Sequence, residues 1–320
     1  MSFVTVEAAT VVCLRRRPGG SPGSVLKLGA LALPDAWWQR LPPVMDFFNG
    51  WEVLMGQSEC VNWLRSTRQQ TVVMRYAGEF KFAGGTADDE DRGSLRATAE
   101  RELREEYMLA DLPAGAVKLH PFNIKQTKPI KGRSYVMHNF VALAEENPWL
   151  RDAALVGRTN RVLGERRERH AAACESGVFW EAALAEREAL APEVRVVEWV
   201  DMRRACWMLL TSKCAALTPV NDFQRQEFQR LGVEQRDPMF QTFATLAEIE
   251  AHANEAELLE HCAGFTASEL AQQKAVELAR FRKAHAKHPA ASEGGGGAAE
   301  QAGAGGDAET ATPGVPSPKL

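Results

Sequence analysis

The chain has 320 residues, 45% of them apolar and 25% charged, enough for the core of one large domain or two small ones. A net charge of -4 and a pI near 6.0 supply no global basic field, which argues against nucleic acid as a partner and leaves only local patches. Six cysteines without CxxC or finger spacing argue against a zinc finger or a disulfide framework. No apolar run reaches about 18 residues, so no membrane span is expected. The N-terminal basic run follows the first apolar stretch, the wrong order for a secretory signal, so an intracellular, cytoplasmic protein is expected.

In chain order, Val11 to Leu14 predicts a strand that ends at Arg15, Arg16 and Arg17. The turn PGGSPGS then leads to a second apolar run, VLKLGALAL, readable as a second strand. Residues 36–70 are aromatic-rich, with apolar residues near helical spacing, and predict a helical insertion carrying Trp37, Trp38, Trp51 and Trp63. The β-branched run Thr71 to Tyr76 and the following FKF predict a strand that delivers the chain to Gly84 and Gly85. After these glycines comes an acidic loop, and Ser94 is placed to cap the helical run LRATAERELREEYML.

Beyond that helix, NIKQTKPIKGR reads as a basic loop carrying Lys125 and Lys128, suited to holding phosphates or simply solvated. Ser134 to Ala144 is the clearest strand. Residues 151–190 read as one or two inserted amphipathic helices, and Val194 to Val200 as the next strand. Met202 to Leu210, Asp222 to Leu231 and Thr245 to Lys287 read as helical. From Pro289 the Gly/Ala/Pro-rich text cannot bury enough surface to offset its ordering entropy, and disorder is expected. The division implied is a first domain over 1–244 with insertions near 36–70 and 151–190, a helical segment over 245–288, and a tail over 289–320.

Glu102, Glu105 and Glu106 stand at i, i+3 and i+4 and share one helical face. Each like-charged neighbour at this spacing costs roughly 0.2–0.5 kcal/mol unless a cation compensates. Arg101 and Arg104 compensate in part, whereas a divalent ion would do so better. Hard carboxylate oxygens suit Mg²⁺ or Mn²⁺, which complete their shells with water and substrate phosphate oxygens. The bland alternative is a solvated Glu/Arg helix.

Spacing discriminates between the two. From Gly85 the residues run G-x5-D-x9-R-E-L-x-E-E-x-M-L, which resembles the Nudix box, G-x5-E-x7-R-E-U-x-E-E-x-G-U with U a bulky aliphatic. The loop is about two residues longer than the standard box, Asp91 stands nearest the expected first acid, and Met108 replaces the glycine near the helix end. The resemblance implies an α/β/α sandwich around a mixed sheet, here with helical insertions and a helical C-terminal segment. It further implies Mg²⁺- or Mn²⁺-dependent cleavage of the diphosphate linkage of a nucleoside diphosphate joined to another moiety. Glu105, Glu106 and Asp91 would be metal ligands, Glu102 a further ligand or its support, and Arg101 the residue orienting the carboxylates.

Gly84 and Gly85 with Lys125 and Lys128 are expected to face substrate. Glu193, just ahead of a strand, is the first candidate for a carboxylate outside the box that activates water, with Glu145 and Glu146 as weaker ones; His138 is expected to line the core. The partner implied is a nucleotide-derived small molecule, with capped RNA the one nucleic acid kept open. The alternative is a catalytically weak Nudix-like nucleotide-binding or scaffold protein. Pro318, Lys319 and Leu320 resemble the peroxisomal S-K-L address. The extra signature of coenzyme A diphosphatases ahead of the box is missing, so that substrate is not assigned.

Overall fold

A computed structural model describes residues 4–17, 50–88, 91, 93–109, 112, 113, 115–126, 133–209, 219–237, 239–250, 252, 255–265 and 275. The expected second strand near 25–33, the first part of the 36–70 insertion with Trp37 and Trp38, Lys128, most of 266–288 and the whole 289–320 tail lie outside them.

The sheet is built on β1 (Val4–Arg16), which is apolar on both sides and covered on both sides. Along one edge it runs parallel to β6 (Arg133–Leu143), from Val4 opposite Arg133 to Leu14 opposite Leu143. Its other edge is shared antiparallel by β4 (Ala83–Thr86) along its first half and β2 (Trp51–Ser58) along its second. Beyond β6 lies β5 (His120–Gln126), and beyond β2 lies β7 (Val194–Asp201), with β3 (Phe80–Lys81) paired to the end of β2. The sheet of the described residues is therefore mixed, with seven strands.

Side-chain alternation divides the core in two. Val12 and Leu14 join Val53, Met55, Phe122, Val141 and Leu143 under the helices α5 (Met202–Met208), α7 (Phe240–Glu250) and α8 (Glu255–Gly264). Ala9, Val11 and Cys13 join Leu54, Phe140 and Ala142 under α1 (Leu95–Glu106) and α2 (Leu155–Ser176). Helices on both faces of a mixed sheet give the expected α/β sandwich. No described helix is long and apolar enough to cross a membrane.

Three expectations fail for identifiable reasons. Residues 50–70 are not helical: β2 occupies Trp51–Ser58 and turns follow. Because β2 is buried on both faces, Trp51, Leu54 and Met55 combine into an apparent i, i+3, i+4 pattern, which period alone cannot separate from a buried strand. The run Thr71 to Tyr76 makes one isolated bridge, Val61 with Val73, and contributes Val73 and Met74 to a small cluster around Cys60, Ala77 and Phe228. Conversely β5 was not expected, since HPFNIKQ places a proline second. Its edge position tolerates Pro121, where the register shifts against β6.

The 151–190 insertion is helical as expected, as α2, α3 (Val178–Glu181) and α4 (Leu184–Leu190). Leu155 and Leu163 bury one face of α2. The Thr159 hydroxyl donates to Tyr107 O at 3.0 Å, at the end of α1. Asn160 bonds Val197 twice, donating to its carbonyl at 2.9 Å and accepting from its N–H at 2.7 Å. Helix α6 (Asp222–Leu231) falls where its periodicity placed it, capped by Asn221.

Helix α6 and the segment after it are tied to the strand that enters the site. Arg236 Nε donates to Glu79 Oε1 at 2.5 Å and Gln224 Nε2 donates to the same oxygen at 2.7 Å, while Arg236 also bonds the Met208 carbonyl. Both charged side chains are almost fully buried. Removing one partner strands the other charge in the core, so Arg236→Met is expected to lower stability by about 3–5 kcal/mol. The double variant Glu79→Met/Arg236→Met is expected to recover much of that loss; urea denaturation of both would show it.

Candidate active site

Alternation explains how β3 and β4 reach the site. Phe80 and Phe82 turn into the core beneath α5 and α7, so Lys81 between them turns to the α1 side. There its ammonium pairs with Glu106. Burial disfavours the charged lysine, but Glu106, with Glu193 and Glu102 further off, outweighs burial and holds Lys81 above its usual range.

Gly84 and Gly85 lie in β4 opposite Thr10 and Ala9, and neither has a positive φ. Close approach is what requires glycine. A Cβ on Gly84 would stand 2.4 Å from the Ala9 carbonyl oxygen, and one on Gly85 would stand 2.2 Å from Glu102 Oε1. Gly84 N–H also donates to Glu106 Oε2 at 2.9 Å.

Helix α1 starts at Ser94, whose side chain accepts from Ala97 N at 3.3 Å, as the sequence predicts. It ends at Tyr107, and Met108 follows with φ 50°, so the left-handed exit persists without glycine. A non-glycine residue there costs about 1–2 kcal/mol. Leu109 N bonds Arg104 O at 2.9 Å, and the Arg104 guanidinium bonds the carbonyls of Leu112 and Pro113, which together fix the turn.

Arg101 is the hub of the helix face. Its Nε donates to Asp91 Oδ1 at 3.1 Å and Nη2 to Asp91 Oδ2 at 3.1 Å. Nη2 also reaches the Thr86 carbonyl at 3.0 Å and Asp88 at 3.1 Å, while Nη1 bonds Glu102 and Glu105, each at 3.0 Å. Asp91 is buried and further receives Thr98 Oγ1 at 2.8 Å and Asp88 N at 3.1 Å. The hydrogen bonds from Arg101 hold its carboxyl below the usual range. Asp91, expected as a metal ligand, accepts hydrogen bonds on both oxygens and anchors the lengthened loop to the helix.

Glu102, Glu105 and Glu106 do come to one face, together with Lys81. Burial, reinforced by the Glu106 and Glu105 charges, pushes the Glu102 carboxyl up to about 7 in spite of Arg101. Glu105 is exposed. Glu193 is exposed ahead of β7, and its charge is felt at Lys81 and Glu106.

Among the described residues, no three His, Cys, Asp or Glu side chains stand ready to hold a metal ion together. Mg²⁺ ordinarily takes one or two carboxylates and fills its shell with water and phosphate oxygens, so three converging ligands are not required. A crowded set of carboxylates, one held protonated up to about 7, has the donor chemistry and surplus negative charge that suit such an ion.

The other expected residues lie elsewhere. Lys125 is on strand β5 rather than in a loop, and it pairs with Glu248 of α7, which also accepts from Asn123 at 2.6 Å. That is the α7 face of the sheet, away from α1. Glu146 pairs with Lys118 and His120. His138 lies 2.7 Å from Glu7 Oε2. Trp51 is core, and the Trp63 ring packs 4.4 Å from that of His170. Lys81 was not anticipated; the signal available was a lone lysine between two phenylalanines just ahead of the glycine pair.

No protein-family profile and no curated protein matches the chain. Among solved structures it is similar to a NUDIX hydrolase from Alicyclobacillus acidocaldarius, at 14% identity and a TM-score of 0.37, over 80% of this chain and 96% of that one. It is also similar to a mutT/nudix family protein from Listeria innocua, at 13% identity and a TM-score of 0.29, over 71% and 94%. A third similarity is to NrtR of Shewanella oneidensis, at 11% identity and a TM-score of 0.28, over 77% of each chain.

The two glycines are expected to respond differently to alanine. Gly84→Ala drives a Cβ into backbone and should cost about 1–3 kcal/mol. Gly85→Ala meets only the movable end of Glu102 and should leave the melting temperature almost unchanged while displacing that carboxylate. Thermal melts of the two variants side by side check the contrast.

Proposed function

We propose that the chain is a Nudix-type hydrolase that cleaves the diphosphate linkage of a nucleoside diphosphate joined to another moiety, with Mg²⁺ or Mn²⁺ as cofactor. The observation that carries this is the Arg101 hub: one guanidinium fixes Glu102 and Glu105 on a helix whose Glu106 is held by Lys81 and the Gly84 N–H. That arrangement is what the resemblance to the Nudix box requires of the residues it shares.

Glu105 and Glu106 would hold the ion, with Glu102 as a third ligand or as their support. When bound, the ion polarises a phosphoryl oxygen and lowers the pKa of a water. Lys81 limits the repulsion between the carboxylates and opposes the burial that raises the Glu106 carboxyl. Gly85 lets the backbone of β4 lie against the helix without a side chain intervening, and Gly84 lets it lie against β1. Glu193, exposed ahead of β7, would take a proton from water on a carboxylate oxygen. Glu102, with a pKa of about 7, is the competing group for that role.

Glu105→Gln is expected to lower turnover at least 100-fold with little change in stability, since Glu105 is exposed. Comparing Glu193→Gln with Glu102→Gln separates the two candidate bases. The decisive assay is a panel of nucleotide sugars, dinucleotides, coenzyme A and capped RNA, with metal added and chelated. No nucleoside monophosphate from any of them, with ligand-dependent stabilisation retained, would instead establish a binding or scaffold protein.

Proton and metal compete at Glu102. Below about pH 7 its carboxyl keeps a proton that the ion must displace, so Mn²⁺ affinity should fall as pH drops, by up to roughly tenfold per unit, and level off above 7. Free Mn²⁺ measured by electron paramagnetic resonance should show this slope in the wild type and a flatter one in Glu102→Gln.

A further inference from the structure

Helix α2 belongs to the insertion, outside the box and outside every residue so far assigned to the chemistry. Its position is nevertheless fixed against both halves of the site. Thr159 bonds the carbonyl that ends α1, Asn160 bonds Val197 on β7 twice, and Leu163 is buried among Leu103 and Tyr107. Arg166 lies seven residues beyond Thr159 and so returns to the same face two turns on.

The Arg166 guanidinium is only partly satisfied. Nη2 donates to the Glu188 carbonyl at 2.8 Å, whereas the buried Nε has no hydrogen-bond partner. Among the described residues no carboxylate forms an ion pair with it, although the charges of Glu193 and Glu105 reach it. Burial and the neighbouring Arg169 both disfavour its charged form. A half-buried guanidinium with an orphaned N–H is costly to maintain and lacks an acceptor. Its planar donor fork matches the paired oxygens of a phosphate as it does those of a carboxylate.

We propose that Arg166 binds a phosphate oxygen of the ligand, supplying from the inserted helix the positive charge that the Glu105 and Glu193 side of the site lacks. The identity of that ligand as a diphosphate rests on the hydrolase reading; the existence of an anion site does not. Acidic residues that hold a metal repel a diphosphate approaching them, and a cation on the facing helix offsets that repulsion without occupying the carboxylates. The insertion thereby becomes part of the binding site.

The test is calorimetric titration of ADP with Mg²⁺, repeated with inorganic pyrophosphate, into the wild type, Arg166→Ala, Arg166→Lys and Arg161→Ala. Arg161 is an exposed residue on the same helix. Arg166→Ala is expected to weaken both probes at least tenfold, Arg166→Lys less so, and Arg161→Ala not at all. In turnover, the Arg166 variants should raise KM more than they lower kcat. If Arg166→Ala does not fold, Arg166→Lys and Arg166→Gln carry the comparison. Unchanged binding in the Arg166 variants, or no binding of either probe by the wild type, overturns the proposal even if hydrolysis is found. Arg166-dependent binding without hydrolysis of any substrate sustains it and removes the hydrolase reading instead.

Discussion

One guanidinium settles the electrostatics of this protein. Arg101 donates to Asp91, Asp88, Glu102 and Glu105 and also to the Thr86 carbonyl, so strand end, loop and helix converge on a single cation. Without it four carboxylates would repel within a few ångströms of one another, and the loop would have no attachment to the helix. Fork geometry matters as much as charge, because five in-plane donors spread over three nitrogens reach partners that the three donors of a single lysine nitrogen cannot.

The second cation, Lys81, solves a different problem. Glu106 is buried, and a buried carboxylate without a partner is expensive. The pleat of β3 supplies the partner by turning Lys81 away from the phenylalanines that flank it. Strand register and site charge are therefore one constraint: a slip of one residue in β3 would place a lysine in the apolar core and a phenylalanine against the carboxylates.

The box helix was legible because its signals are local: a capping serine, a same-face glutamate set and a fixed distance from a glycine pair. Strands β6 and β7 and helix α6 were legible for the same reason. What escaped depended on neighbours far away in sequence. Strand β2 looked helical because both its faces are covered, and β5 looked like loop because only its edge position excuses Pro121. The bonds from Arg101 to Asp91 could not be read from spacing, since they depend on how the lengthened loop returns to the helix. Met108 stands where the box has glycine, yet carbonyl contacts from Arg104 hold the left-handed turn that glycine would have made easier.

The double bond between Asn160 and Val197 has a consequence for the protein as a colloid. Strand β7 pairs with β2 on one side, and a primary amide from the inserted helix engages Val197 on the other. A side chain that presents donor and acceptor together imitates a neighbouring strand at that position, but cannot extend into a ladder. The helix thus seals a stretch of sheet margin that another chain would otherwise template on. Local unfolding of the insertion would leave that margin bare, so the inserted helix also keeps neighbouring molecules from adding strands to the sheet at Val197.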